Sequence, residues 1–144
     1  MADTHRFYDS GKLALMGGNA SWANDSITAV LLDSGYAFDP QDDTYEDVSS
    51  FEISSSDYQQ VEVPGRSVTL DDEGRVVFAS EDISFGDDVS LEARSVVFVV
   101  GTPGNLGSND TLVSAHDLGR LRESKNSEFK LIAPDFWLRI TLEE

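Results

Sequence analysis

The chain has no cysteine, only four prolines and three lysines, and no apolar run near the roughly 18 residues a membrane-crossing helix needs. The missing cysteine excludes thiol catalysis, CxxC redox chemistry, thiolate metal sites and disulfides. None of these is required for stability, because a single domain of 144 residues can bury about two-thirds of the surface its unfolded chain exposes. Ten Lys and Arg against 27 Asp and Glu give a net charge of −17 and a pI near 4.1. Phosphate neutralisation needs clustered cations, so nucleic acid and anionic membranes are not expected partners. The opening Met1-Ala2-Asp3-Thr4-His5-Arg6 lacks the charged-then-apolar layout of a signal peptide, and the chain reads as soluble and unexported.

The acidity is Asp-rich, with 17 Asp to 10 Glu, and the few cations are mostly arginine, seven against three lysines. At molar ionic strength the Debye length falls to about 3 Å, so a dense carboxylate surface stops repelling itself. This composition fits a protein working in concentrated salt.

Strand signals dominate from residue 27 onward. Ile27-Thr28-Ala29-Val30-Leu31-Leu32 is a short β-branched run closed by the turn residues Asp33-Ser34-Gly35. Val61-Glu62-Val63 alternates before Pro64-Gly65. Ser67–Leu70 and Arg75–Phe78 flank Asp71-Asp72-Glu73-Gly74, the layout of a hairpin with an acidic loop. Arg94–Val100 reads as a strand buried on both faces, and Gly101–Asp110 as a loop. Thr111–Ala115, Glu128–Ile132 and Phe136–Leu142 supply three more strands. In the last, Phe136, Leu138, Ile140 and Leu142 share one face, with Trp137, Arg139 and Thr141 on the other.

Residues 1–26 are read as an interaction arm or a short helix, capped by Thr4, running through Phe7, Leu13 and Met16 and stopped by Gly17-Gly18. Gly11 weakens such a helix by about 1 kcal/mol relative to alanine. About eight short strands separated by Gly-, Pro- and Asp-rich turns predict an all-β fold, a single-domain β-sandwich of jelly-roll or Ig-like type.

Chemistry-bearing constellations are few. Ser114, His116 and Asp117 are neighbours in sequence, but no GxSxG elbow or oxyanion turn accompanies them, and on a strand Ser114 and His116 simply share a face. No catalytic residue is assigned, and no enzyme is expected. Asp39, Asp42 and Asp43 form the loop best suited to a structural Ca²⁺ or Mg²⁺, although so acidic a chain places carboxylates side by side by composition alone. No other cofactor is expected. The three Asn-x-Ser/Thr sequons, at Asn19, Asn24 and Asn109, all fall in turn or loop segments.

The order of segments carries a resemblance. His5-Arg6-Phe7-Tyr8-Asp9, then Asp25-Ser26-Ile27-Thr28, Leu31-Leu32-Asp33-Ser34-Gly35-Tyr36-Ala37-Phe38 and Val48-Ser49-Ser50-Phe51-Glu52 resemble the opening of a family of small structural proteins of tailed viruses. Ala79-Ser80-Glu81-Asp82-Ile83-Ser84-Phe85, Ala93-Arg94-Ser95-Val96-Val97, Leu112–Gly119 and Glu128–Leu142 follow in the family's order, with Phe85 standing where the family has Trp. The Gly-Gly step usual after the Tyr58 region is replaced by Gln59-Gln60.

The resemblance implies a virion component made in the host cytoplasm. Its most plausible place is the head, as a decoration or turret protein bound to the major capsid protein or other virion proteins and forming a homo-oligomer. A tail or baseplate location is the runner-up, and a host-surface glycan-binding module the reading from another class. The acidic composition then points to a tailed virus of a halophilic archaeon. Contacts are expected from Phe7, Tyr8 and Trp22 in the N-terminal segment and from the Gly101–Asp110 loop.

Overall fold

The computed structural model describes residues 5–140. In chain order these form β1 (His5–Phe7), α1 (Asp9–Met16), β2 (Ile27–Leu32), α2 (Glu46–Ser49), β3 (Val61–Glu62), β4 (Ser67–Leu70), β5 (Val76–Ala79), β6 (Ile83–Ser84), β7 (Glu92–Val100), β8 (Leu112–Glu123), β9 (Lys130–Leu131) and β10 (Leu138–Ile140). The fold is all-β. All pairings are antiparallel, and the strands form three open sheets: a five-stranded sheet in the order β1-β8-β7-β2-β3, a three-stranded sheet β10-β5-β4, and the pair β6-β9.

The middle of the five-stranded sheet is buried on both faces, which is why β2 and β7 read as continuous apolar runs rather than alternating ones. Ile27, Ala29, Leu31, Ala93, Val96 and Phe98 point into the larger core, which they share with Phe78 and Leu138 of the three-stranded sheet, Ile83 and Leu131, and both tryptophans. Val30, Leu32, Val97, Val99, Leu112 and Ala115 point the other way, where Tyr8, Val48 and the half-buried Tyr36, Phe38, Tyr45 and Phe51 cover them. The 33–60 segment therefore acts as the lid on that face.

β8 carries an irregularity at the place where α1 docks. Phe98 pairs with Ser114 and Val99 with Leu112, so Val113 is the extra residue of a β-bulge. At the bulge the Val113 carbonyl accepts from the Tyr8 amide at 3.1 Å, continuing the β1–β8 ladder, and Ser10 Oγ donates to the Leu112 carbonyl at 3.0 Å. α1 lies directly on this bulge.

Several expectations are corrected. The N-terminal helix begins at Asp9, with Tyr8 as a cap residue that makes no side-chain cap; Phe7 belongs to β1, and Thr4 lies outside the described residues. β8 runs on to Glu123, well past Ala115. Within the described residues the final strand is Leu138–Ile140, and Trp137 and Leu138 are both buried, so a two-faced alternation does not hold there. Thr141 and Leu142 lie outside the described residues. Trp137 sits inward because its amide donates to Phe78 O at 2.8 Å and its indole N–H to Ser80 Oγ at 2.7 Å, before strand pairing begins.

Candidate interaction surface

The three-stranded sheet extends beyond the core it helps to close. Its core-facing side chains form two rows across the strands, Leu138–Phe78–Val68 and Val76–Leu70. Along the first row exposure climbs from 2% at Leu138 and 5% at Phe78 to 44% at Val68, and Leu70 in the second row is 71% exposed. β4 thus presents its inner face where, among the described residues, no sheet lies opposite. Beside it, α1 exposes Leu13 and Met16. Between helix and hairpin lies an apolar groove of about 450 Å³, lined by Leu15, Met16, Trp22, Val68, Val76 and Phe78 among others. A cluster of large exposed apolar side chains on a chain of charge −17 is the feature expected of a protein contact surface.

Local chemistry fixes both walls of this groove. Asp71 Oδ1 accepts from the amides of Glu73 and Arg75, at 2.9 Å each, and its other oxygen pairs with the Arg75 guanidinium at 2.7 Å. Hydrogen bonds from the Arg75 amide, then from its guanidinium, hold the Asp71 carboxyl below the usual carboxylate range despite some desolvation. Gly74, at φ +77°, supplies the left-handed residue that closes the hairpin. On the other wall, Gly11 lets α1 approach β8: a Cβ there would lie 2.1 Å from Val113 O.

The expected contact residues are placed differently. Tyr8 and Trp22 are enclosed at 0% and 1% exposure, and Phe7 is half-buried edge-on to Phe78. Trp22 Nε1 donates to Ala79 O at 3.1 Å, and its ring packs on Phe78 and Phe98. Trp22 and Phe78 line the groove, while Tyr8 packs on the opposite face of the five-stranded sheet; the accessible residues are Leu13 and Met16 on α1 and Val68 and Leu70 on β4. The Gly101–Asp110 loop is tied down, with Gly104 N donating to Gln60 Oε1 at 2.9 Å and Leu106 packed under the lid.

Asp39, Asp42 and Asp43 are engaged in separate local hydrogen bonds. Asp39 Oδ1 accepts from the Gln41 amide, Asp42 Oδ2 from the Tyr36 hydroxyl at 3.0 Å, and the Asp43 amide donates to Asp47 Oδ2. Among the described residues no group of three or more His, Asp or Glu gathers as a metal-ligand set. Desolvation raises the Asp42 pKa, and Asp39, Asp47 and Asp43 add to it. Tyr36 OH also meets Tyr8 OH at 2.6 Å. Burial, first, pushes both phenols above the usual tyrosine value.

Ser114 Oγ and His116 Nε2 lie 2.8 Å apart on one buried face of β8, with the imidazole packed between Phe98 and Trp137. Asp117 points out and pairs with Arg94 Nε at 3.0 Å. Burial raises its pKa, but Arg94 and the Gly119 amide outweigh this and hold it low. The three residues are therefore divided between two environments. Next to them a broader groove of about 670 Å³ runs along the outer half of β8 to β9, with Arg120, Arg122, Glu123, Glu128 and Lys130 on its walls and the exposed Leu121 and Ile132 among them.

Two polar hubs are absent from the sequence reading. Arg66 is nearly buried and its guanidinium donates to three backbone carbonyls, Trp22 O at 2.6 Å, Val63 O at 2.5 Å and Asp25 O, pinning the 22–25 turn to the β3–β4 connection. The Glu52 carboxylate accepts from Tyr45 OH, from Tyr58 OH at 2.5 Å and from Gln60 Nε2 at 3.0 Å. Tyr58 OH in turn accepts from the Leu31 amide at 3.2 Å, joining lid to sheet. Burial, then Glu52, raises the pKa of Tyr45 to about 12. Compared with protein-family models, curated proteins and solved structures, the chain matches none.

Proposed function

We propose that this chain is a virion structural protein of a tailed virus, a head decoration or turret protein held on the major capsid shell in multiple copies. The observation that carries the reading is the uncovered apolar surface of α1 and β4 on an otherwise strongly acidic chain. A protein that decorates a shell needs one apolar contact face and an outer surface that stays hydrated, and in brine an Asp-rich surface serves the second need. The order of segments resembling the tailed-virus family supports the same reading, with a tail or baseplate position as the alternative. We read the facing five- and three-stranded sheets as a β-sandwich, a frame rigid enough to present such a face. In this reading the protein acts by binding; the Ser114–His116 pair is enclosed and Asp117 is engaged by Arg94, which accords with it.

The groove beside β9 favours a second reading, a module for host-surface glycans. Its arginine and carboxylate side chains alternate with apolar ones, the mixture that hydroxyl-bearing rings require. Protein mass spectrometry of gradient-purified particles separates the two. The decoration reading expects this chain in stoichiometry comparable to the capsid protein. Its absence from particles, with saturable binding to host envelope material abolished by Arg120→Ala and Arg122→Ala, would replace that reading with the glycan one.

A further inference from the structure

β4 is the outer strand of its sheet, and it lacks the usual protections of an edge. Ser67-Val68-Thr69-Leu70 contains no charge, no proline and no bulge, in a chain where 26% of residues are charged. The phase of its hydrogen bonding follows from the hairpin. The Asp71 amide donates to Arg75 O at 3.0 Å, so by antiparallel alternation Thr69 and Ser67 exchange bonds with β5. The N–H and C=O groups of Val68 and Leu70 then point away from the sheet, toward the open edge.

We propose that a second copy of this chain covers this edge, β4 pairing with β4 about a two-fold axis through Thr69. In that register Val68 of one copy exchanges both backbone bonds with Leu70 of the other, and the reverse, while the two Thr69 residues face each other as the non-bonded pair. The strand is its own complement, as an isologous contact demands. The pairing makes a continuous six-stranded sheet, and it sets Val68 of one copy directly opposite Leu70 of the other on the core-facing side. The uncovered row of each copy thereby continues into the other, beside the groove that Met16 shares with Val68. An uncharged edge is also the contact that two chains of charge −17 can share at least electrostatic cost, because the acidic hairpin tip Asp71–Glu73 is neutralised in part by Arg75.

This inference rests on reading the α1–β4 surface as a contact, and it names the neighbour; it does not depend on where the protein is located. The absence of native cysteine makes the test direct. Thr69→Cys places a single thiol at the axis, where non-bonded antiparallel partners bring Cα atoms to about 4.5 Å, within disulfide range. Ser50→Cys, exposed on the lid, is the reference. In molar salt at ~0.1 mM protein, above the micromolar Kd expected for a small interface, Thr69→Cys should form disulfide dimer at least 10-fold faster than Ser50→Cys. Adding Leu70→Lys to Thr69→Cys should return the rate to that of the reference with an unchanged circular dichroism spectrum, since Leu70 is already exposed. Light scattering of the cysteine-free protein should give twice 15.8 kDa. Crosslinking no faster than the reference overturns the pairing, whether the mass is that of a monomer or of a dimer built through another face. A monomer that is nevertheless present on particles would refute the pairing and leave the virion reading standing.

Discussion

Replacing Gly11 by alanine sets two physical effects against each other. In an isolated helix the change would gain about 1 kcal/mol, because alanine loses less backbone entropy than glycine. In this protein the new Cβ would meet the Val113 carbonyl, with O at 2.1 Å and both C and Cα at 2.7 Å, where contacts below 3.0 Å do not occur. The obstacle is strand backbone at a bulge buried under both cores, so α1 must retreat by about 1 Å, an overpacking cost of roughly 1–3 kcal/mol. The retreat stretches the Tyr8 N to Val113 O and Ser10 Oγ to Leu112 O bonds, each worth about 1 kcal/mol. The clash wins, and net destabilisation should be about 2 kcal/mol, or roughly 6–8 °C in Tm for a domain of this size. Thermal and urea unfolding in molar salt would measure it, with Lys12→Ala on the exposed face expected to stay within about 0.5 kcal/mol. A higher Tm for Gly11→Ala would refute the close helix–bulge approach and return this glycine to a matter of helix propensity.

Other consequences can be checked independently. All four tyrosines, Tyr8, Tyr36, Tyr45 and Tyr58, have pKa values raised first by burial. A phenol whose folded pKa exceeds its unfolded value near 10 stabilises the fold below that pH and stops doing so as pH rises through the folded value. Ultraviolet titration should therefore show almost no phenolate in the folded protein at pH 10, with ionisation and unfolding arriving together above about pH 12, the value for Tyr45; half-ionisation near pH 10 without unfolding would contradict the buried networks. Arg66→Met should cost about 2–4 kcal/mol in urea unfolding, because three backbone carbonyls lose their donor together, and Arg66→Lys should recover only part, lacking the planar fork. Raising salt from roughly 0.1 to 3 M should increase stability monotonically as 27 carboxylates are screened; a flat response in circular dichroism would remove the case for a high-salt habitat.

What could be read from the sequence was local. β2 falls on Ile27–Leu32 as its β-branched run indicates, and the 67–79 hairpin follows from Asp71 and Gly74, because turn chemistry acts within a few residues. β7 was legible as a doubly buried strand for the same reason. The contact surface was legible only by neighbourhood: Phe7, Tyr8 and Trp22 lie in the right segment, but which aromatic is floor and which apolar residue is rim depends on how far one sheet extends past another. Arg66 and Glu52 carry no periodic signal at all. Two of the Arg66 carbonyl partners lie 41 and 44 residues away, and only the assembled chain brings three carbonyls to one guanidinium, while the Glu52 partners lie within eight residues but in an irregular segment without a repeat. Gly11 gave a true signal that pointed the wrong way, since its cost to the helix is visible in sequence and the strand it accommodates is not.

The central claim is that the α1–β4 surface joins this protein to its neighbours on a virus particle, and electron cryomicroscopy of the particle tests it most directly. Ordered copies on the capsid exterior are expected, with Leu13, Met16, Val68 and Leu70 enclosed by neighbouring protein. Copies whose α1–β4 surface faces solvent, or a particle without this chain, would contradict it.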